Sequence, residues 1–207
     1  MKNSKMVFQN YVKALFDEDT DRIIAKFEKY HNLLQSANKK INLVSRQTFP
    51  AEYWVLHYLD SILIAPQIDN KKARILDFGT GAGLPGIPLK IVFPELEIHF
   101  LDATRKKISF LRNVCKKLDL NNCFTIVSRF EEWNPGLGGY FDLIVSRSVR
   151  ILPDQIPLFF NLLKPRGKIF LYKSKHLKDA DWFEKSYLID VSHPALGIRK
   201  IIEICKQ

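Results

Sequence analysis

Ile75-Leu76-Asp77-Phe78-Gly79-Thr80-Gly81-Ala82-Gly83-Leu84-Pro85-Gly86 changes character twice within one short stretch. Its first residues read as a buried strand. The glycines that follow allow unusual backbone angles and let a ligand approach the main chain closely. Pro85 suits the first position of a helix. A strand, a glycine turn and a helix in this order make the opening of a βα unit. The spacing admits more than one ligand. A dinucleotide fingerprint needs G-x-G-x-x-G after the strand. Counted from Gly79, its third glycine falls on Leu84; counted from Gly81, its second falls on Gly83 and its third on Gly86, a match. Spacing alone therefore leaves a dehydrogenase-like domain open.

Downstream, short apolar runs alternate with amphipathic stretches. Strands are predicted at 74–78, 97–101, 124–127, 142–146, 169–173, 187–191 and 200–205, and helices at 85–93, 105–118, 153–163 and 179–184. Such alternation implies βαβ units and a mostly parallel sheet. The last two strands are joined through His193-Pro194-Ala195-Leu196-Gly197 with no helix between them, so an antiparallel pair is expected at the sheet's end. Upstream of the polar linker Pro66-Gln67-Ile68-Asp69-Asn70-Lys71-Lys72 the period is helical. Val7, Tyr11, Val12, Leu15 and Phe16 mark one helix, and Ile23, Ile24, Phe27, Tyr30, Leu33 and Leu34 a second, capped by Thr20 or Asp21. A third is expected over 50–65, with Tyr53, Leu56, Leu59, Ile62 and Leu63 inward. The predicted fold class is α/β: a Rossmann-like, mostly parallel seven-stranded sheet (67–207) carrying an N-terminal helical extension (1–66).

The 207 residues are 46% hydrophobic and 26% charged, which excludes general disorder. No run is long enough for a membrane span, and the N-terminus does not read as a secretory signal. Cys115, Cys123 and Cys205 form no C-x-x-C pair, so neither a metal site nor a disulfide framework is expected, and a reducing cytoplasm fits. The net charge is +10. Residues 1–66 carry nine basic and seven acidic side chains, and 67–207 carry twenty-three and fifteen. A basic excess of this kind suits a nucleic-acid partner or a merely solvated surface.

Several residues fall where a doubly wound sheet binds ligands, at the carboxyl ends of its strands. Asp102 ends the second strand, where a carboxylate can accept hydrogen bonds from both hydroxyls of a ribose. Arg129, Phe130 and Glu131 follow the third strand, at the height of an adenine. Arg147 ends the fourth strand and Lys173 the fifth; either cation suits a carboxylate or an RNA phosphate. The 105–118 helix sets Arg105, Arg112 and Lys116 on its polar face, for which solvation is the commoner explanation. In the extension, Asn42 and Arg46 belong to a polar-apolar connector and are candidate substrate contacts. His57-Tyr58-Leu59-Asp60-Ser61 places polar groups in an apolar stretch, more often a buried network than a catalytic one.

The Asp77-to-Gly83 frame is characteristic of S-adenosylmethionine (SAM) methyltransferases. Together with Asn42-Leu43-Val44-Ser45, His57-Tyr58-Leu59-Asp60-Ser61, Leu84-Pro85-Gly86-Ile87-Pro88-Leu89, Leu101-Asp102, Lys106-Lys107, Phe110-Leu111 and Ser146-Arg147, it resembles the glucose-inhibited division protein B family of 16S rRNA guanine-N7 methyltransferases. The resemblance covers most of the chain. It implies a class I methyltransferase fold, SAM as cofactor, 16S rRNA or the small ribosomal subunit as partner, and N7 of a guanine in the decoding-region loop as the methyl acceptor. It implies cofactor contacts from Asp77, Gly79, Gly81, Gly83, Leu84, Asp102, Arg129, Phe130, Glu131 and Arg147, and substrate contacts from Arg147, Lys173, Asn42 and Arg46. No catalytic side chain is expected, and the protein is expected to act as a monomer. Ser148-Val149-Arg150 departs from the family's usual Ala, bulky apolar, Ala. A small-molecule methyltransferase is the alternative.

Overall fold

The computed structural model describes residues 4–133, 136, 138–149, 151–174 and 186–206. The helix predicted at 179–184 and the charge at Arg150 lie outside the described residues.

Seven strands form one sheet in the order β3-β2-β1-β4-β5-β7-β6. They are β1 (Arg74–Phe78), β2 (Glu97–Asp102), β3 (Cys123–Val127), β4 (Phe141–Arg147), β5 (Leu163–Lys173), β6 (Ser186–Asp190) and β7 (Lys200–Cys205). The first five pair in parallel. Strand β7 enters antiparallel between β5 and β6, as the helix-free connection of the last two strands requires. The order reverses between β1 and β4, and a crevice at such a switch point is where open α/β sheets bind ligands. Strand β5 begins six residues earlier than the sequence suggests. It runs on through Pro165-Arg166-Gly167, where Arg166 takes φ +62°.

The crossover helices are α4 (Gly86–Val92), α5 (Arg105–Lys117) and α6 (Ile156–Leu162). Before the sheet come α1 (Ser4–Phe16) and α2 (Thr20–Asn38), separated by a 3-10 turn over Asp17–Asp19. Neither Thr20 nor Asp21 caps α2. The cap position is Asp19, without a side-chain bond, because the preceding turn already carries the chain into helix. The 50–65 segment is helical but unevenly wound. A 3-10 turn (Pro50–Glu52) leads into a π-helical segment (Trp54–Leu59) and then α3 (Asp60–Ile62). The wider π turn shifts side chains from their α-helical angles, and Leu56, expected inward, is exposed.

One apolar cluster runs from Phe8, Phe27, Tyr30 and Tyr58 in the extension to Ile87, Ile98, Phe100 and Leu111 around the sheet. A second, with Phe78, Phe130, Phe141 and Phe159, fills the opposite face. Tyr30 and Tyr58 are wholly buried, and the Tyr30 hydroxyl donates to the Ala82 carbonyl at 2.8 Å. The extension therefore bears directly on the glycine turn.

Candidate functional site

The turn after β1 is braced from below. Asp77 is fully buried, and its Oδ2 accepts from the Thr80 hydroxyl at 2.6 Å and the Gly86 amide at 2.9 Å. Its other oxygen, Oδ1, has no hydrogen-bond partner. Burial pushes the carboxyl up to about 6, against the opposing pull of those two bonds and of Arg147. Gly79, Gly81 and Gly83 all have positive φ, at +66°, +57° and +94°. They serve different ends. A Cβ on Gly79 would meet Val149 Cγ2 at 2.4 Å, and one on Gly83 would meet Ile87 and Leu111 at 2.5 and 2.7 Å. Those two glycines make room for the protein itself. A Cβ on Gly81 would find only the Gly79 carbonyl, at 3.9 Å, so space lies open above this residue. Leu84 is buried, and Pro85 stands one residue before α4, at its cap position.

Asp102 faces the same turn. Its Oδ2 accepts from the Gly81 amide at 3.1 Å and its Oδ1 from the Thr104 amide at 2.8 Å. Lys107 Nζ sits 3.6 Å from Oδ2. A carboxylate offers about four acceptor sites. Two are taken by amides, which leaves capacity for the two hydroxyls of a ribose. The open space at Gly81, the spare acceptor capacity of Asp102 and the unpartnered buried carboxylate oxygen of Asp77 suit a nucleoside bearing a positive charge. SAM is such a molecule.

The segment after β3 divides in two. Arg129 and Glu131 are exposed, and Glu131 accepts from Gln155 Nε2 at 2.5 Å. The Phe130 ring is buried, stacked on Phe159 at 4.3 Å and edge-on to Phe78 at 5.0 Å. Its side chain belongs to the core, which leaves its main chain for a ligand.

Arg147 does not stand alone at the end of β4. Its Nη1 donates to Asp60 Oδ2 at 2.9 Å and to the His57 carbonyl at 3.4 Å. Arg199, just before β7, donates from Nε to Asp60 Oδ1 at 2.7 Å. The buried Asp60 is thus held between two guanidinium groups from distant parts of the chain. A cleft of about 590 Å³ opens here, lined by His57, Asp60, Arg147, Val149, Lys173 and Arg199 among others. Because Val149 also touches Gly79, the cleft and the glycine turn adjoin. His57 lies on the cleft wall with a buried Nε2 that lacks a partner. Burial and the nearby Arg147 pull its pKa down to about 4, so the ring is neutral near pH 7.

Of the expected substrate contacts, Arg147 and Lys173 meet in this cleft. Arg46 instead lines a second cavity of about 400 Å³ with Lys39, Thr48 and Tyr53, and Asn42 is exposed on the same connector. That connector is pinned by Asn38, whose side-chain oxygen accepts from the Leu43 and Val44 amides at 2.9 and 3.1 Å. Tyr53 links the regions, its ring 5.1 Å from that of His57. Sequence reading missed Arg199. A single cation between two strands carries no local signal, and only the antiparallel return of β7 brings it to Asp60. Among the described residues no cluster of metal-binding side chains occurs, and no helix is long and apolar enough to cross a membrane.

The buried Asp77 carboxyl predicts a pH dependence of stability. Its folded pKa lies above the ordinary value of 3.8. Its favourable contribution is therefore complete below about pH 4 and is lost as pH rises through about 6. Asp77→Asn keeps the acceptor for Thr80 and Gly86 and removes the charge. In the ligand-free protein it is expected to be more stable than the unmodified chain at pH 7, with the difference shrinking towards pH 4. Denaturant melts across that range test this; a constant difference would place the titrating group elsewhere.

The family model for rRNA small subunit methyltransferase G matches residues 23–193. The ribosomal RNA small subunit methyltransferase G of Hydrogenovibrio crunogenus is 34% identical over 90% of this chain and 88% of its own length. That of Haemophilus influenzae is 35% identical over 88% and 91%. Among solved structures, a SAM-dependent methyltransferase from Aquifex aeolicus superposes with a TM-score of 0.60, at 15% identity over 84% of this chain and 98% of that one. A tRNA methyltransferase from the same organism gives 0.61, at 16% identity over 86% and 76%. The two structures share the fold, a class I methyltransferase sheet, and the sequence relatives define the lineage: the chain belongs to the GidB family, the rRNA small subunit methyltransferases G.

Proposed function

We propose that this protein transfers a methyl group from SAM to N7 of a guanine in the decoding-region loop of 16S rRNA. The observation that carries the reading is the adjacency of two sites. One is the braced glycine turn with Asp102, which suits the nucleoside of SAM. The other is the cationic cleft at Arg147, which suits RNA. SAM supplies, when bound, a methyl group already activated on its sulfonium. Asp102 and the Gly81 main chain would hold its adenosine, and Arg147 its carboxylate.

Guanine N7 presents an exposed lone pair and has no proton to lose. The protein then needs no general base, and its task is to orient the base and exclude water. The site agrees with this. His57 is neutral, and Asp60 is committed to two arginines. The net charge of +10 supplies the sequence-independent grip on RNA. Exposed Arg105, Lys106, Lys116 and Lys117 on α5 add to it. Transfer of labelled methyl from SAM to purified small subunits lacking the modification is expected to proceed, and to weaken steeply with added salt. Transfer to small acceptors without RNA, insensitive to salt, would favour the small-molecule alternative.

A further inference from the structure

The cleft between the π-helical segment and the ends of β4, β5 and β7 holds an arrangement that cofactor binding does not explain. Four cations line it, Arg147, Lys173, Arg199 and Lys200; Asp60 pairs with the two arginines and Asp190 with Lys200. The β5–β7 register sets Lys173 opposite Lys200. A guanidinium has five N–H donors. Arg199 uses one on Asp60 and one on the Ile198 carbonyl, and its side chain is 24% exposed. Donors therefore remain for an anion. The cleft volume lies within the range that takes a small ligand.

We propose that this cleft seats the acceptor nucleotide of the RNA, that Arg199 is its phosphodiester contact, and that Asp60 is a positioning residue holding Arg199 beside Arg147. The inference rests on the RNA-methyltransferase reading and goes further by assigning the acceptor subsite. Asp60 comes from the extension, Arg147 from the end of β4 and Arg199 from the approach to β7. The carboxylate fixes two forks side by side, one towards the cofactor and one towards the RNA.

The test uses the full chain, SAM and small ribosomal subunits from a strain lacking this gene. Arg199→Ala is expected to raise KM for subunits about 10- to 100-fold, the usual worth of a charge-assisted hydrogen bond. The log–log salt dependence of subunit binding should become shallower by about 0.7. SAM affinity should stay within about twofold, since a charge-assisted contact is worth more than that. Arg199→Lys should restore much of the salt dependence. With SAM saturating, so that the hold of Asp60 on Arg147 does not enter, Asp60→Asn should raise the same KM, and the double variant Asp60→Asn/Arg199→Ala should have a subunit KM no higher than that of Arg199→Ala. Unchanged KM and salt dependence in Arg199→Ala would overturn the assignment, while additive effects in the double variant would remove Asp60 as its positioner. Should Asp60→Asn fail to fold, the Arg199 variants alone decide whether the subsite stands. No transfer by the unmodified protein would sink the RNA reading and the subsite with it, an outcome separate from either of these.

Discussion

Gly86→Ala is expected to cost about 3 kcal/mol of stability, at the upper end for overpacking a closed core. For a chain of this size that is a fall of roughly 6–12 °C in Tm. The added Cβ would stand 2.5 Å from Asp77 Oδ2 and 2.6 Å from Phe100 Cε1, both on fully buried side chains. Asp77 cannot retreat without loosening its bonds to Thr80 and to the Gly86 amide. Gly81→Ala provides the contrast. It meets nothing closer than 3.9 Å and bears only the cost of a positive φ, about 1 kcal/mol. It should fold, yet its methyl occupies the open space, so SAM affinity should fall sharply. Thermal melts and calorimetric SAM titration separate the two effects. Equal stability loss in both variants would contradict the division of the turn into a packing glycine and a ligand-facing one.

Arg147→Ala is expected to abolish methyl transfer and also to destabilise the protein by about 3 kcal/mol. Breaking a buried ion pair costs 3–5 kcal/mol because a charge is left behind. Asp60 keeps Arg199 as a partner, which places the loss at the lower end. The Arg147 and Asp60 side chains are each only 12% exposed, so solvent does little to offset the change. Arg147→Lys should recover part of the stability through its charge but little transfer, since an ammonium cannot reproduce the planar fork. The checks are melts, SAM titration and single-turnover transfer on small subunits. Full transfer by Arg147→Ala would remove Arg147 from the site.

The parallel part of the fold was legible because each element carries its own period. The β1 run, the glycines and the α5 apolar stripe of Ile108, Leu111 and Val114 declare themselves within a few residues. The antiparallel β6–β7 pair followed from a connection with no helix in it. What escaped was set by tertiary contact. The π turn at 54–59 exposes Leu56 against its apolar character, because Trp54, Tyr58 and Leu59 claim the core instead. The site was readable in the same measure. Asp102 and Arg147 lie at strand ends, where ligands gather. Phe130 shares that position, but its ring fills the space between Phe78 and Phe159. Asp60 showed only as a polar residue in an apolar helix, and its partners lie 87 and 139 residues away along the chain. No window of sequence joins them.

The proposed reaction is methylation of N7 of one guanine in the decoding-region loop. Small subunits from a strain lacking the gene can be incubated with the protein and SAM, and their 16S rRNA then subjected to strand cleavage specific for 7-methylguanine. A single new cleavage in that loop is expected, dependent on both protein and SAM. Incorporated methyl without cleavage, or cleavage elsewhere in the RNA, would contradict it.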